Sequence, residues 1–139
     1  MKLTQTYRNQ HDEIRRAGND LSVAMRGDDP AAVRRALSRL SGLLEVHLAL
    51  EDKSFYPVLL KHADPEVRKT AQSYQESMGT LATAYMAFRG RWLRQGAIEE
   101  DRPGFEKELN AVWALLDQRI DLENDTLYAM VDGLSNVAV

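Results

Sequence analysis

Apolar residues recur every three or four positions along four long stretches of this chain, the period of one face of an α-helix. The first stretch runs from about Leu3 to Met25, with Tyr7, His11, Ile14, Gly18 and Leu21 on one side. Gly27-Asp28-Asp29-Pro30 then supplies a stop and a new start, Asp29 as the cap and Pro30 in the first helical turn. The second stretch extends from Pro30 to about Lys61 and turns Val33, Leu37, Leu40, Leu44, His47, Glu51 and Ser54 inward. Pro57 lacks an N–H and predicts a kink or a short break there. Asp64-Pro65-Glu66 repeats the cap-and-proline signal, and Val67, Ala71, Tyr74, Met78, Leu81, Tyr85, Phe88 and Trp92 follow as a third stripe ending near Gln95-Gly96. The fourth helix is predicted from Asp101 or Pro103 to about Val131, with Phe105, Leu109, Val112, Leu116, Arg119, Glu123, Thr126 and Met130 on its inner face and a frayed tail beyond. Stretches that alternate strictly are scarce, so strands are not expected. The pattern predicts an all-α, up-down-up-down four-helix bundle, with residues 1–139 as a single domain.

Composition narrows the function classes. There is no cysteine, which removes disulfides, thiolate zinc sites and cysteine nucleophiles together. The formal net charge is -3 and the pI about 5.6, with both signs mixed along the chain. That is not the footprint of a nucleic-acid binder, and the pairs Arg15–Arg16 and Arg34–Arg35 read as solvated faces. No apolar run approaches a membrane span and the chain opens on polar residues, so no membrane partner is expected and the expected location is the cytoplasm.

The polar residues on the inward stripes carry the chemistry. Residues 47–59, HLALEDKSFYPVL, echo residues 119–131, RIDLENDTLYAMV: without gaps, Glu51 falls on Glu123, Ser54 on Thr126, Phe55 on Leu127 and Tyr56 on Tyr128. Both copies put a glutamate on the inner face, where a carboxylate must be paired, protonated or bound to a metal. His47 lies one turn before Glu51 on the same face, and His11 sits between Tyr7 and Ile14 on the first stripe. Two imidazoles and two carboxylates meeting from three helices form a site suited to iron, manganese or zinc. Taken singly, each has an ordinary structural explanation, such as a satisfied core histidine or a helical ion pair. Their joint placement favours the site. His62, next to a turn, reads as a surface residue. Tyr56 and Tyr128 sit near helix ends, where packing explains them better than redox work, and Trp92, Trp113, Phe88 and Tyr85 read as core or dimer-interface residues.

With H-D-E-I at His11, H-x-x-x-E-D-x-x-x-Y-P from His47 to Pro57, and I-x-x-E-N-x-x-L-Y from Ile120 to Tyr128, the chain resembles the hemerythrin-like (HHE cation-binding) family over nearly its whole length. The resemblance implies a four-helix bundle holding two non-heme irons bridged by two carboxylates. It places His11, His47, Glu51 and Glu123 on ligand positions, with Glu51 and Glu123 bridging and the two histidines terminal on one iron. The chain departs from the pattern at the other iron, for which the family draws histidines from the third and fourth helices. Arg119 stands at the fourth-helix position, and Tyr74, Gln75 and Glu76 are the plausible donors in the corresponding part of the third.

Three states remain open at this point. The first is a mononuclear site with Arg119 filling the vacant half. The second is a dinuclear site whose poorer half uses oxygen donors such as Gln75, Glu76 or Tyr74. The third is a metal-free core in which Arg119 pairs with Glu123 or Glu51. The resemblance implies iron as the cofactor, and dioxygen, nitric oxide or peroxide as the small ligand. The expected role is sensing or stress response rather than bulk oxygen carriage, with a metal-free regulatory or interaction module as the alternative. No catalytic nucleophile is evident, and an enzyme is the less favoured reading. A homo-oligomer or a signalling protein is the expected macromolecular partner.

Overall fold

The computed structural model describes residues 4–134, and among these there is no strand. Helix α1 spans Gln5–Met25 and α2 spans Pro30–Leu50. A five-residue π-helical turn, Glu51–Phe55, joins α2 to α3, Tyr56–Leu60, so this rod is continuous from Pro30 to Leu60. Helix α4 spans Pro65–Trp92, and the short α5, Ala97–Glu100, leads into α6, Arg102–Leu122. A second π-helical turn, Glu123–Leu127, links α6 to α7, Tyr128–Asp132. The residues from 135 onward in the expected frayed tail lie outside the described residues.

The caps follow the sequence signals. Asp29 accepts from the Ala31 N–H at 3.0 Å, Asp64 from the Glu66 N–H at 2.9 Å, and Asp101 from the Gly104 N–H at 3.0 Å, each just before a helix with proline in its first turn. Gly96, at φ 82°, makes the left-handed turn before α5 that a side chain would resist.

The π turns correct two expectations. Pro57 produces no break in the helix. The turn just before it closes through the Tyr56 N–H to the Glu51 carbonyl, and the rod runs on. The extra residue in that turn also shifts the phase, so Ser54 is exposed and Phe55 is fully buried. The same happens in the second copy, where Tyr128 N–H bonds to the Glu123 carbonyl, Thr126 is exposed, and Leu127 and Val131 are buried in place of Thr126 and Met130. The inner positions are then 47, 51, 55, 59 and 119, 123, 127, 131, all four apart. An ideal α-helix drifts around its axis at that spacing, and the wider π turn absorbs the drift.

Buried side chains form two apolar clusters. One contains Ile14, Leu21, Leu37, Leu44, Phe88, Trp92, Phe105 and Leu116, with Trp113 packed on it over Gly18. The other contains Tyr7, Phe55, Tyr56, Leu59, Val67, Leu127, Tyr128 and Val131. Thr4 and Arg8 seal the second by bonding Asp132, at 2.5 and 3.1 Å. Between the clusters lies a layer of buried polar residues: His11, His47, Glu51, Arg119 and Glu123. Each long rod crosses this layer once. Arg15 ties α1 to α6 through Asp117 and Asp121, and Arg34 bonds Glu99, so these arginines serve contacts between helices. No helix among the described residues is long and apolar enough to cross a membrane.

Candidate metal centre

His11 comes from α1, His47 from α2, and Glu51 and Glu123 open the two π turns. All are at most 2 % exposed. Each imidazole is oriented from behind by an amide. The His11 Nδ1–H donates to Asn124 Oδ1 at 2.8 Å, and the His47 Nδ1–H donates to Gln10 Oε1 at 2.7 Å. An Nδ1–H fixed in this way leaves the Nε2 lone pair facing inward, the arrangement that orients histidine ligands. Gln10 precedes His11 and Asn124 follows Glu123, so the two orienting amides are chain neighbours of candidate ligands.

The inward atoms are closely spaced. His11 Nε2 lies 3.1 Å from His47 Nε2 and 3.0 Å from Glu123 Oε1. His47 Nε2 lies 3.1 Å from Glu51 Oε1 and 3.8 Å from Glu123 Oε1. Donors at bond lengths of about 2.0–2.2 Å around one ion are separated by roughly 3–3.5 Å, and the three shorter separations here match that spacing. Two inward lone pairs at 3.1 Å repel unless a cation or a proton lies between them. With His47 neutral and its Nε2 bare, Glu51 Oε1 has no hydrogen-bond donor among the described residues; with His47 protonated it pairs with the Nε2–H at 3.1 Å. Two lone-pair nitrogens and two carboxylates, one of them with an oxygen that only a cation or a proton on His47 would satisfy, fit a divalent or trivalent first-row metal.

Two tyrosines brace the carboxylates crosswise. Tyr128 Oη donates to Glu51 Oε2 at 2.7 Å, and Tyr56 Oη donates to Glu123 Oε2 at 3.3 Å, so each π-turn copy supplies a hydroxyl to the other copy's glutamate. Burial and the neighbouring carboxylates push both phenols far above their usual range, which keeps them as O–H donors.

The two halves differ beside these carboxylates. In the position matching His47 stands Arg119, 5 % exposed, whose Nε–H donates to Glu123 Oε2 at 3.3 Å. Its Nη2 donates to Tyr56 Oη at 2.9 Å and to the Tyr74 carbonyl at 2.7 Å, and the guanidinium stacks on the Tyr74 ring at 4.9 Å. Tyr74 therefore holds Arg119 through its carbonyl and its ring face. Glu76 is not brought to the cluster: it is exposed and its carboxylate accepts from Gln72. Gln75 is half-buried and is not joined to the cluster by any hydrogen bond among the described residues. The outward position of Glu76 follows from the phase of α4, which turns Ala71, Met78 and Tyr85 inward. His62 is half-buried outside the cluster, where its Nδ1 accepts from the Asp64 N–H.

The fields inside the layer are strong. Burial would lower the pKa of His47, but hydrogen bonds and charge from Glu123 and Glu51 raise it from 6.5 to about 9. Burial would raise Glu123, yet His11, His47 and Arg119 hold it well below the usual carboxylate range. Glu51 moves up, because burial and the charge of Glu123 outweigh help from His47 and Tyr128. In the metal-free protein a proton on His47 thus supplies positive charge that an ion would otherwise bring.

A family model for the hemerythrin HHE cation-binding domain matches residues 2–131. The chain belongs to the hemerythrin HHE cation-binding family. No curated protein and no solved structure gives a match. Within this hemerythrin-like domain His11, His47 and Glu123 form the cluster whose ligand atoms all lie within 4.8 Å of one another, and Glu51 adjoins it. Sequence reading missed Gln10 and Asn124. Their signal was position, since each is an amide adjacent to a candidate ligand.

Proposed function

We propose that this hemerythrin-like domain is a non-heme iron protein that senses dioxygen, nitric oxide or peroxide, or serves a stress response, rather than carrying oxygen in bulk. The observation that carries the reading is the pair of amide-oriented imidazoles with Nε2 atoms 3.1 Å apart, set against two buried carboxylates. His11, His47, Glu51 and Glu123 would hold one ion, which when bound supplies a Lewis-acidic, one-electron redox centre. Gln10 and Asn124 keep the lone pairs inward, and Tyr56 and Tyr128 hold the carboxylates. Arg119 keeps a fixed positive charge where a second ion would need nitrogen donors. Bulk carriage draws two electrons from a matched pair of irons, and this second half offers no such ligation. Each rod meets the two apolar clusters in the opposite order from the rod before it, which supports an up-down-up-down order of the four.

Metal analysis of protein prepared anaerobically with Fe(II) tests the reading. About one iron per chain is expected, with an absorption change on adding nitric oxide. Less than about 0.2 per chain would defeat it. A second reading, a metal-free interaction module on the same bundle, is favoured by the buried Arg119–Glu123 pair at 3.3 Å. It predicts that chelator leaves the melting temperature unchanged, whereas the iron reading predicts a fall.

A further inference from the structure

Between α4 and α6 a solvent-accessible cleft of about 300 Å³ reaches Arg119. A guanidinium has five N–H donors. Three are used here, one on Nε for Glu123 and two on Nη2 for Tyr56 and the Tyr74 carbonyl. Nη1 makes no hydrogen bond among the described residues, so a side chain only 5 % exposed has two donors to spare where it lines an open cleft. Nη1 is not one of the fully buried unpartnered atoms among the described residues, so it keeps contact with solvent, and the cleft is an opening that Arg119 lines.

The lining around this group has two characters. Ser77, Thr80 and Gln118 bring hydroxyls and an amide, while Leu81, Ala84, Leu115 and Leu122 are apolar. Leu115 and Leu122 are 50 % and 45 % exposed, which leaves a greasy rim in water. No carboxylate lines the cleft itself, and the one closest behind it, Glu123, is already paired with the Nε side of Arg119. A cleft of this size lies at the small end of ligand sites. A charged head for Nη1 and an apolar tail for the leucines describe one kind of molecule.

We propose that this cleft binds a short-chain monocarboxylate, its head on Arg119 Nη1 and its chain along Leu81, Leu115 and Leu122. The site shares Arg119 with the polar layer but does not depend on any metal there. It gives the domain a ligand of its own, separate from diatomic gases.

The test is a ¹H–¹⁵N NMR titration of chelator-treated protein with acetate, butyrate and hexanoate, and with hexanol as the neutral control. Shifts are expected at the amides of Ser77, Thr80 and Gln118 and at the Arg119 Nε–H. Affinity should rise about two- to fourfold per added methylene, and hexanol should bind at least tenfold more weakly than hexanoate. Leu115→Asp places a negative charge on the exposed rim without touching the core, and should weaken hexanoate at least fivefold. Arg119→Gln should abolish binding. Should that variant fold poorly, Leu115→Asp still decides the matter. Hexanol binding as well as hexanoate, indifference to Leu115→Asp, or shifts that appear only when metal is restored would each overturn the proposal. The last result would place the carboxylate on the ion instead. Failure of the titration leaves the iron content untouched, so the two readings fail separately.

Discussion

His47 must give up a proton before its Nε2 can hold an ion, and its surroundings make that proton hard to remove. Glu123 and Glu51 raise its pKa to about 9, against the lowering effect of burial. The folded value lies above the unfolded one, so this group stabilises the metal-free protein fully below about pH 6.5, and the contribution is lost as the pH climbs through about 9. The urea midpoint of chelated protein is therefore expected to fall across that window. Metal affinity runs the other way. It should rise up to about tenfold per pH unit until His47 is deprotonated, then level off. Competition with a coloured chelator between pH 6 and 10 measures the slope, and a flat profile would remove His47 from the ligand set. The amides behind the rings are open to a simpler check. Asn124→Ala frees the Nδ1 of His11, and Gln10→Ala frees that of His47. Either should weaken metal binding by about 10- to 100-fold with helix content unchanged, and unaltered affinity in both would mean that ring orientation is set elsewhere.

At the scale of elements, the close approach of α1 and α6 rests on Gly18. A methyl group there would overlap the six-membered ring of Trp113, which is half-buried against the larger apolar cluster. Gly18→Ala is expected to destabilise by about 1–3 kcal/mol through overpacking. Trp113→Leu should remove most of that penalty when the two are combined, and urea denaturation of the four proteins in the cycle reads out the coupling. Gly18 also shows what the sequence could and could not convey. Its place on the inner stripe was plain from spacing, but its reason was not, because the partner lies 95 residues away (113 − 18). Helix positions, caps and the inward His11, His47, Glu51 and Glu123 were legible, since they follow from local periodicity and turn chemistry. The π turns were not. A single extra residue in a turn leaves composition unchanged and shows only as a phase shift, which is why Ser54 and Thr126 looked buried when Phe55 and Leu127 are. The echo between the copies held the clue: only the first has a proline, at Pro57, while Ala129 stands in the second. Proline therefore cannot be the shared cause. The run of four-residue spacings through each glutamate is what both copies have in common.

For the whole molecule, the polar layer interrupts what would otherwise be one apolar core, and its stability depends on how its charge is balanced. Two buried carboxylates face one guanidinium and two imidazoles, so the metal-free layer relies on a proton that the carboxylates must hold in place. An ion held by residues of α1, α2 and the two π turns would couple three of the rods, and would bind the folded chain, where these residues meet, far better than the unfolded one. At a free concentration of about a hundred times its Kd, it would stabilise by about 2.7 kcal/mol, which for a domain of this size would raise the melting temperature by roughly 10 °C. Chelator should reverse that rise, and Glu51→Gln should reduce it, because the carboxylate facing His47 Nε2 loses its charge where the ion would meet it. The two perturbations must also interact. In Glu51→Gln protein, chelator should shift the melting temperature by less than half as much as in the unaltered chain, even though the substitution relieves a raised carboxylate and can stabilise the metal-free form. Equal shifts in both proteins would mean that the ion reports on some other part of the molecule, and that the layer owes its cohesion to the Arg119–Glu123 pair instead.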